Sequence, residues 1–502
     1  MKWIISLLLF ASLISAEIPP EIQKIIDQKK YDHAIWGLYV KDLETGKVLY
    51  DLNSNKLFSP ASTSKLFSTA SLLSAFGDDY RFKTPVYATG TVSNGVLEGN
   101  LVLVAQGDLT LGGRQKDPNT IEFTKMDHIV ANEVPGVILT KEDPLFGLNE
   151  LAKQVAAKGI NKVNGDVVID DSLFETIVKR GFTLSPIFIN ENLIDLIINP
   201  SEVGSLAKID WRPEIKGYKI DNQVKTVKAG EETNISVTSD ESGKNIIVKG
   251  AIAADQKDII RVSYIKDPKA FAREAFIEAL DRAGVKVNPT NSNAPQTVKD
   301  YQFAEQVALL TSPPLSEYVK LILKVSHNIG ADLIPLLLAS SNGKKTFDEG
   351  MVLFGNFVHD EVKLPIDNFV FIDAAGGNEN RLSPQGEVTL LEYMKKQPHY
   401  KKYLDALPIL GKDGSLEDFA KNSPGAGKVY SKPGTGVAFN LATQKLFLIT
   451  QALAGYILGK NGHTYAYMVV VNNATMPTID DIFPIFEDES QISSHIYDHT
   501  NE

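Results

Sequence analysis

Pro60-Ala61-Ser62-Thr63-Ser64-Lys65 leads into Leu66, Phe67, Ala70, Leu73 and Phe76, apolar residues at helical spacing that Gly77 closes. The pattern predicts a buried helix over Ser64–Phe76. Ser62 then sits at its N-terminal end, with Lys65 one turn on along the same face. A serine hydroxyl is a poor nucleophile at neutral pH and needs a base beside it. Lys65 serves only as a free amine, which from a reference near 10.4 takes a fall of roughly 2–3 pKa units, or about 3–4 kcal/mol. Burial, the positive end of the helix and a second nearby cation all push that way. Taken alone, Ser62 reads first as a helix cap and Lys65 as a first-turn lysine.

Two distant strings change that balance. Ser326-His327-Asn328 follows an apolar helical run, Leu315–Val325, and precedes another, Ala331–Ala339. Lys432-Pro433-Gly434-Thr435 lies near the C-terminus on a strand-like run from Lys428. In order, the three strings read S-x-x-K, S-x-N and a variant of K-T-G, the signature of penicillin-interacting serine acyltransferases. Each has a plainer reading: Ser340-Ser341-Asn342 also fits S-x-N, Lys432-Pro433-Gly434 fits a β-turn, and His327 fits a spacer. The ordered combination carries the assignment. Ser62 is the nucleophile, Lys65 the base and Ser326 the relay of a proton to the leaving amine. Asn328 anchors a substrate amide, and Lys432 with the Thr435 hydroxyl clamps a terminal carboxylate. Backbone N–H groups of Ser62 and Thr435 would form the oxyanion hole, each worth about 3–4 kcal/mol of barrier. Gly434 leaves room for a substrate backbone.

The 502 residues exceed one ordinary domain. Net charge is −11 with no long basic run, which argues against nucleic acid as a partner. With no cysteine and eight scattered histidines, neither a cysteine nucleophile nor a metal site is expected, and no cofactor is required. Lys2, the apolar run Trp3–Ile14 and Ser15-Ala16 have the order of a secretory signal peptide, so the mature chain is expected to be exported to the periplasm or cell envelope. The reading leaves room for peripheral membrane association and sets no oligomeric state. Val86–Val92 and Val96–Val104 flank Asn94-Gly95, a hairpin signal, and Ile194–Ile265 reads as a small all-β module. Helical patterns return after the polar stretch Asn288–Thr297, and the segment from Glu487 reads as a solvated acidic tail. The first and last portions therefore look like one body interrupted by a largely β insertion.

On these strings the chain resembles the class C low-molecular-mass penicillin-binding proteins of the penicillin-binding protein 4 type, which are D-alanyl-D-alanine carboxypeptidase/endopeptidases. Further likenesses are Gly107-Asp108-Leu109-Thr110-Leu111, Gly165-Asp166 through Phe174, Asp373 to Pro384, and Asp413-Gly414-Ser415-Leu416. The resemblance implies an α+β fold: a β-lactamase/transpeptidase-like domain with an antiparallel sheet flanked by helices, a large inserted, mainly β second domain and a small nested β third domain. The expected limits are 1–16 for the signal peptide, 17–84 with 290–490 for the catalytic domain, 85–195 with 262–289 for the second, 196–261 for the third and 491–502 for the tail. It implies peptidoglycan peptides and β-lactams as partners and an acyl-serine intermediate. It also implies that Asp170 and Phe174 of the second domain receive the substrate's diamino acid side chain. The family has Thr where this chain has Pro433, which removes a hydroxyl and a backbone N–H, and Ala374-Ala375 replace Gly-Ser. A catalytically weak peptidoglycan-binding protein on the same fold is the second reading. A β-lactamase is the third, against which the large insertion speaks.

Overall fold

Opposite ends of the chain build one sheet. In the computed structural model, which describes residues 17–288 and 301–501, β1 (Ile35–Asp42) and β2 (Val48–Leu52) form the early hairpin. They join β3 (Val429–Asn440), β4 (Lys445–Leu458) and β5 (Thr464–Thr475) in an antiparallel sheet ordered β2-β1-β5-β4-β3. Residues 464–471 of β5 are buried throughout, as expected of a strand covered on both faces. Its alternate residues separate by face: Met468 and Val470 join one core, Val469 and Val471 another.

The first core packs α1 (Ser64–Phe76), α2 (Leu315–Lys324), α3 (Asn328–Ser341) and α4 (Pro384–Lys395) against the sheet. The second packs the helix Pro20–Ile26 and α5 (Ile482–Asp498) on the other side. Here the structure corrects the expected acidic tail: residues 491–498 belong to α5, and Ile485, Ile492 and Ile496 are buried against the sheet. The polar residues hid the apolar stripe, and Glu489 is itself fully buried.

The insertion has its own core around a mixed sheet. Lys83–Ser93 pairs with Val96–Val104, which is joined by the parallel strands Lys162–Val163 and Val167–Asp170. Its far edge is Glu305–Thr311, paired antiparallel with Lys83–Ser93. The chain therefore returns to the Ser62 body after Thr311, later than the expected resumption at 290. The polar stretch before it suggested a boundary too early. Two three-stranded sheets from residues 193–264 form the nested module, and β-branched residues such as Ile198, Val224, Ile246 and Val248 fill it. The predicted signal peptide and residues 289–297 of the predicted linker lie outside the described residues. Among the described residues no helix is long and apolar enough to cross a membrane.

Candidate active site

Ser62 sits in a single 3₁₀ turn, Ala61–Thr63, that runs straight into α1. Two glycines far apart in sequence hold this turn. A Cβ at Gly376 would lie 1.9 Å from the Ala61 carbonyl oxygen, and one at Gly434 would lie 2.4 Å from that of Pro60 and 3.0 Å from the Ser62 nitrogen. Gly434 thus admits the protein's own nucleophile turn, a different reason for glycine from the substrate approach expected. Ala61 itself has φ +45°, a left-handed strain of about 1 kcal/mol or more that these contacts hold in place.

Lys65 is fully buried, and its Nζ lies 2.8 Å from Ser62 Oγ, 2.8 Å from Asn328 Oδ1 and 2.6 Å from the Ala375 carbonyl oxygen. Asn328 Oδ1 and the carbonyl only accept, so they take two N–H bonds. A neutral amine then has one lone pair left, and it meets the Ser62 hydroxyl. Burial lowers the Lys65 pKa most. The carboxylates of Asp332 and Asp373 oppose that fall and the Arg180 guanidinium adds to it, leaving a value of about 7. The fall matches in size what a serine–lysine pair needs at neutral pH.

Ser326 is the left-handed residue, φ +61°, that ends α2 ahead of α3. The His327 N–H donates to the Ile322 carbonyl across that turn, the bond of a Schellman motif in which glycine is usual. His327 is a helix cap: its Nδ1 accepts the Gly330 N–H at 3.0 Å. Asn328 follows as the first residue of α3.

Lys432-Pro433-Gly434-Thr435 lies within β3, the edge strand of the sheet, not in a turn. Backbone parity explains how the strand tolerates proline. The Ser431 N–H donates to the Pro408 carbonyl and the Val429 carbonyl accepts from Leu410, both on the side away from β4. Residues 433 and 435 share that parity. Pro433 therefore removes an N–H from the free edge without breaking the ladder, and Thr435 presents its own N–H there. Lys432 is fully buried, with Nζ 2.7 Å from the Pro433 carbonyl oxygen. Burial, and then Lys65, push its amine well below the usual lysine range. The Thr435 hydroxyl donates to Oε1 of its cross-strand neighbour Gln451 at 2.8 Å.

Ser62, Lys65, Asn328, Lys432 and Gly434 are thus assembled around one turn, and Thr435 contributes backbone. Asp170 and Phe174 are engaged elsewhere. The Asp170 carboxylate accepts from the Tyr301 hydroxyl at 2.5 Å and the Ser172 N–H at 3.0 Å, and Phe174 is buried against Gly107. Several further neighbours complete the site. Asp373 accepts the N–H groups of Ala375, Gly376 and Gly377 through Oδ1, fixing the carbonyl that meets Lys65. Asn380 ties that loop to α1, donating to Ser64 Oγ at 3.2 Å. Glu387 lies fully buried beneath the turn and accepts the Thr63 hydroxyl at 2.9 Å. Asp373 and Asn380 fall in the Asp373–Pro384 string quoted above and Asp332 four residues beyond Asn328 on one helix face, whereas Glu387 leaves no such trace. Asp42, Glu44 and His463 also cluster, but His463 Nδ1 pairs with Asp42 at 2.8 Å and Glu44 accepts the Thr464 N–H, so ordinary hydrogen bonding accounts for them.

Residues 19–485 match the model of the D-Ala-D-Ala carboxypeptidase 3 (S13) family. The chain belongs to that family. Its relatives include a D-alanyl-D-alanine carboxypeptidase of Actinomadura sp. (strain R39), 26% identical over 92% of this chain and 82% of that protein. The D-alanyl-D-alanine carboxypeptidase DacB of Haemophilus influenzae is 23% identical over 79% of this chain and 77% of its own length. The fold is that of penicillin binding protein 4 (dacB) from Haemophilus influenzae, whose crystal structure superposes with a TM-score of 0.72 at 20% identity, covering 95% of this chain and 99% of that one. The S13 architecture thus includes both the transpeptidase-like body and the inserted β domains.

Proposed function

We propose that this S13 protein is an exported serine DD-peptidase that cleaves D-Ala-D-Ala termini or crosslinks of peptidoglycan stem peptides through an acyl-Ser62 intermediate. The carrying observation is the Lys65 amine, held by two fixed acceptors with its remaining valence on Ser62 Oγ. As Oγ attacks the carbonyl carbon of the scissile peptide, its proton passes to Lys65. The oxyanion that forms meets the N–H groups of Ser62 and Thr435. The C–N bond breaks and the leaving amine takes a proton by way of Ser326. Water then hydrolyses the ester. With a β-lactam the same attack opens the ring, the leaving nitrogen stays tethered, and the acyl-enzyme persists. Lys432 places its buried amine beside the pocket, where burial and Lys65 hold it well below the usual lysine range. Asp170 and Phe174 have no part in this proposal.

Fluorescent penicillin is expected to label the protein covalently and Ser62→Ala to abolish the label. Labelling that survives Ser62→Ala would remove Ser62 as nucleophile. Pro433 favours a second reading, a weakly turning-over peptidoglycan-binding protein, because it takes a donor from the substrate edge. D-Ala release from a pentapeptide and cleavage of a crosslinked dimer separate the two readings: acylation without either product supports the second.

A further inference from the structure

The inserted domain sends one side chain to the Ser62 centre. The hairpin Ile177–Lys179/Phe182–Leu184 turns through Arg180 and Gly181, both left-handed at φ +52° and +85°. Such a two-residue turn projects its first side chain clear of the strands. The Arg180 guanidinium donates from Nε to Asp332 Oδ2 at 3.1 Å and from Nη2 to Asp373 Oδ2 at 2.6 Å. Asp332 is 2% exposed and its other oxygen, Oδ1, has no hydrogen-bond partner among the described residues. Asp332 stands one turn along α3 from Asn328, and Asp373 anchors the turn bearing the Ala375 carbonyl. Two carboxylates therefore flank both acceptors of the Lys65 amine, and one arginine from another part of the fold spans them.

The charges around Lys65 come from several elements. Asp332 faces it from α3, Asp373 from the loop before α4, Lys432 from β3 and Arg180 from the hairpin, while Glu387 of α4 lies under Thr63. Arg180 also feels Glu379. The two carboxylates favour an ammonium at Lys65, and the two cations oppose it. Lys432 is desolvated and pushed toward neutrality itself, so Arg180 is the permanent cation of the set.

We propose that Arg180 is a positioning residue that, by pairing with Asp332 and Asp373 together, cancels the two negative charges that would otherwise hold a proton on Lys65. The inserted domain then sets the reactivity of the base. This inference rests on the reading of Lys65 as the base of Ser62. Removing the guanidinium leaves both carboxylates unbalanced and raises the pH at which Lys65 gives up its proton. Asp332→Asn, made in addition, removes the nearer excess charge and lowers it again.

The test follows the Lys65 side chain directly, through the ¹³Cε shift of lysine-labelled protein titrated over pH, with Lys65→Arg assigning the signal. Arg180→Met is expected to move the midpoint alkaline by about 1 unit or more. Arg180→Met/Asp332→Asn should return it most of the way, and Arg180→Lys, which keeps the charge, should move it less. The rate of penicillin acylation should follow, falling about 10-fold at pH 7 in Arg180→Met and recovering at higher pH. A midpoint in Arg180→Met equal to that of the parent overturns the proposal, as does a shift that Asp332→Asn leaves in place. Acylation lowered equally at every pH assigns Arg180 a purely structural part and also overturns it. If the parent takes no label yet the midpoints move as stated, the functional reading fails and the electrostatic role stands.

Discussion

Two buried charge clusters in this molecule behave in opposite ways. In the inserted region Arg114 binds Asp127 bidentately and Glu191 at 2.7 Å, while His128 bridges Glu191 and Asp195, and Arg212 closes the set on Asp195. Three basic groups meet three carboxylates there. Burial opposes the charge on His128, but Asp195 and Glu191 outweigh it and hold its pKa near 10. At Ser62 the buried cations find only neutral acceptors. Lys65 and Lys432 bond to amide oxygens and a hydroxyl, and both amines are pushed down. His327 shows the same rule in one side chain. Its Nε2 lies 3.9 Å from Asp127, outside hydrogen-bonding reach, and burial drives it to about 4, beside a His128 that stays charged. Burial alone does not separate the two clusters: His128 has direct, equally buried carboxylate partners that keep it charged, and Lys65, Lys432 and His327, without one, are pushed toward neutrality.

The largest expected effect breaks the reactive half. Lys65→Met should slow penicillin acylation by about 10²–10⁴-fold, the worth of a lost general base. Denaturant unfolding should find the variant no less stable than the parent, because a desolvated amine is replaced by an apolar chain of similar length. In the parent the acylation rate should climb about tenfold per pH unit below pH 7 and level off above it, as Lys65 loses its proton near pH 7. A large loss of stability in Lys65→Met would place that lysine in the structural class.

Arg114→Met breaks the paired half. It leaves Asp127 and Glu191 buried without their cation and should cost about 3–5 kcal/mol, read from the denaturant midpoint. The Lys65 midpoint should not move, since Arg114 is paired with Asp127 and Glu191 in the other cluster. A shift there would merge the two clusters into one electrostatic unit.

The contrast also explains what the sequence shows and what it hides. The helix Ser64–Phe76 is legible because its apolar stripe and Gly77 are local signals. The Asn94-Gly95 hairpin is legible for the same reason. Ser62, Lys65 and Asn328 come from ordered motifs, so their meeting is expected before it is seen. Arg180 and Glu387 are silent because their work consists of contacts across hundreds of residues, with no periodicity to mark them, while Asp373 and Gly376 lie in the quoted Asp373–Pro384 string and only their contacts are hidden. The plainer β-turn reading of Lys432-Pro433-Gly434 arises because proline and glycine are punctuation almost everywhere except on a sheet edge, where this strand carries them. Glu489 helps make the last helix look like a solvated tail, because a buried acid reads as an exposed one until its neighbours are known.

Glu387 sharpens the comparison from the acidic side. It is fully buried without a cation, and burial raises its pKa to about 8, against a weaker opposing bond from Thr63. The folded protein thus keeps a proton that the unfolded chain releases near pH 4.5. Its contribution to stability is complete below about pH 4.5 and is lost as pH rises toward 8, by a few kcal/mol at most. Glu387→Gln, which fixes the neutral form, should flatten the stability profile between those pH values while acylation stays within about 10-fold of the parent. An unchanged profile would mean that Glu387 is charged and solvated.

The smallest expected effect concerns Thr435, where backbone and side chain part company. The N–H of residue 435 faces the free edge of β3 by the parity that Ser431 sets, and its hydroxyl is committed to Gln451, itself fully buried. Thr435→Val keeps the N–H and removes only the hydroxyl. Acylation should stay within about 3-fold of the parent, while stability falls by about 1 kcal/mol as Gln451 loses its donor. Thr435→Pro, which removes the N–H on an edge already shown to accept proline at 433, should cost about 10²–10³-fold if that N–H completes the oxyanion hole. The difference between the two variants measures the backbone's share alone. Equal losses in both would restore the hydroxyl to the carboxylate clamp and require it to leave Gln451 when substrate arrives.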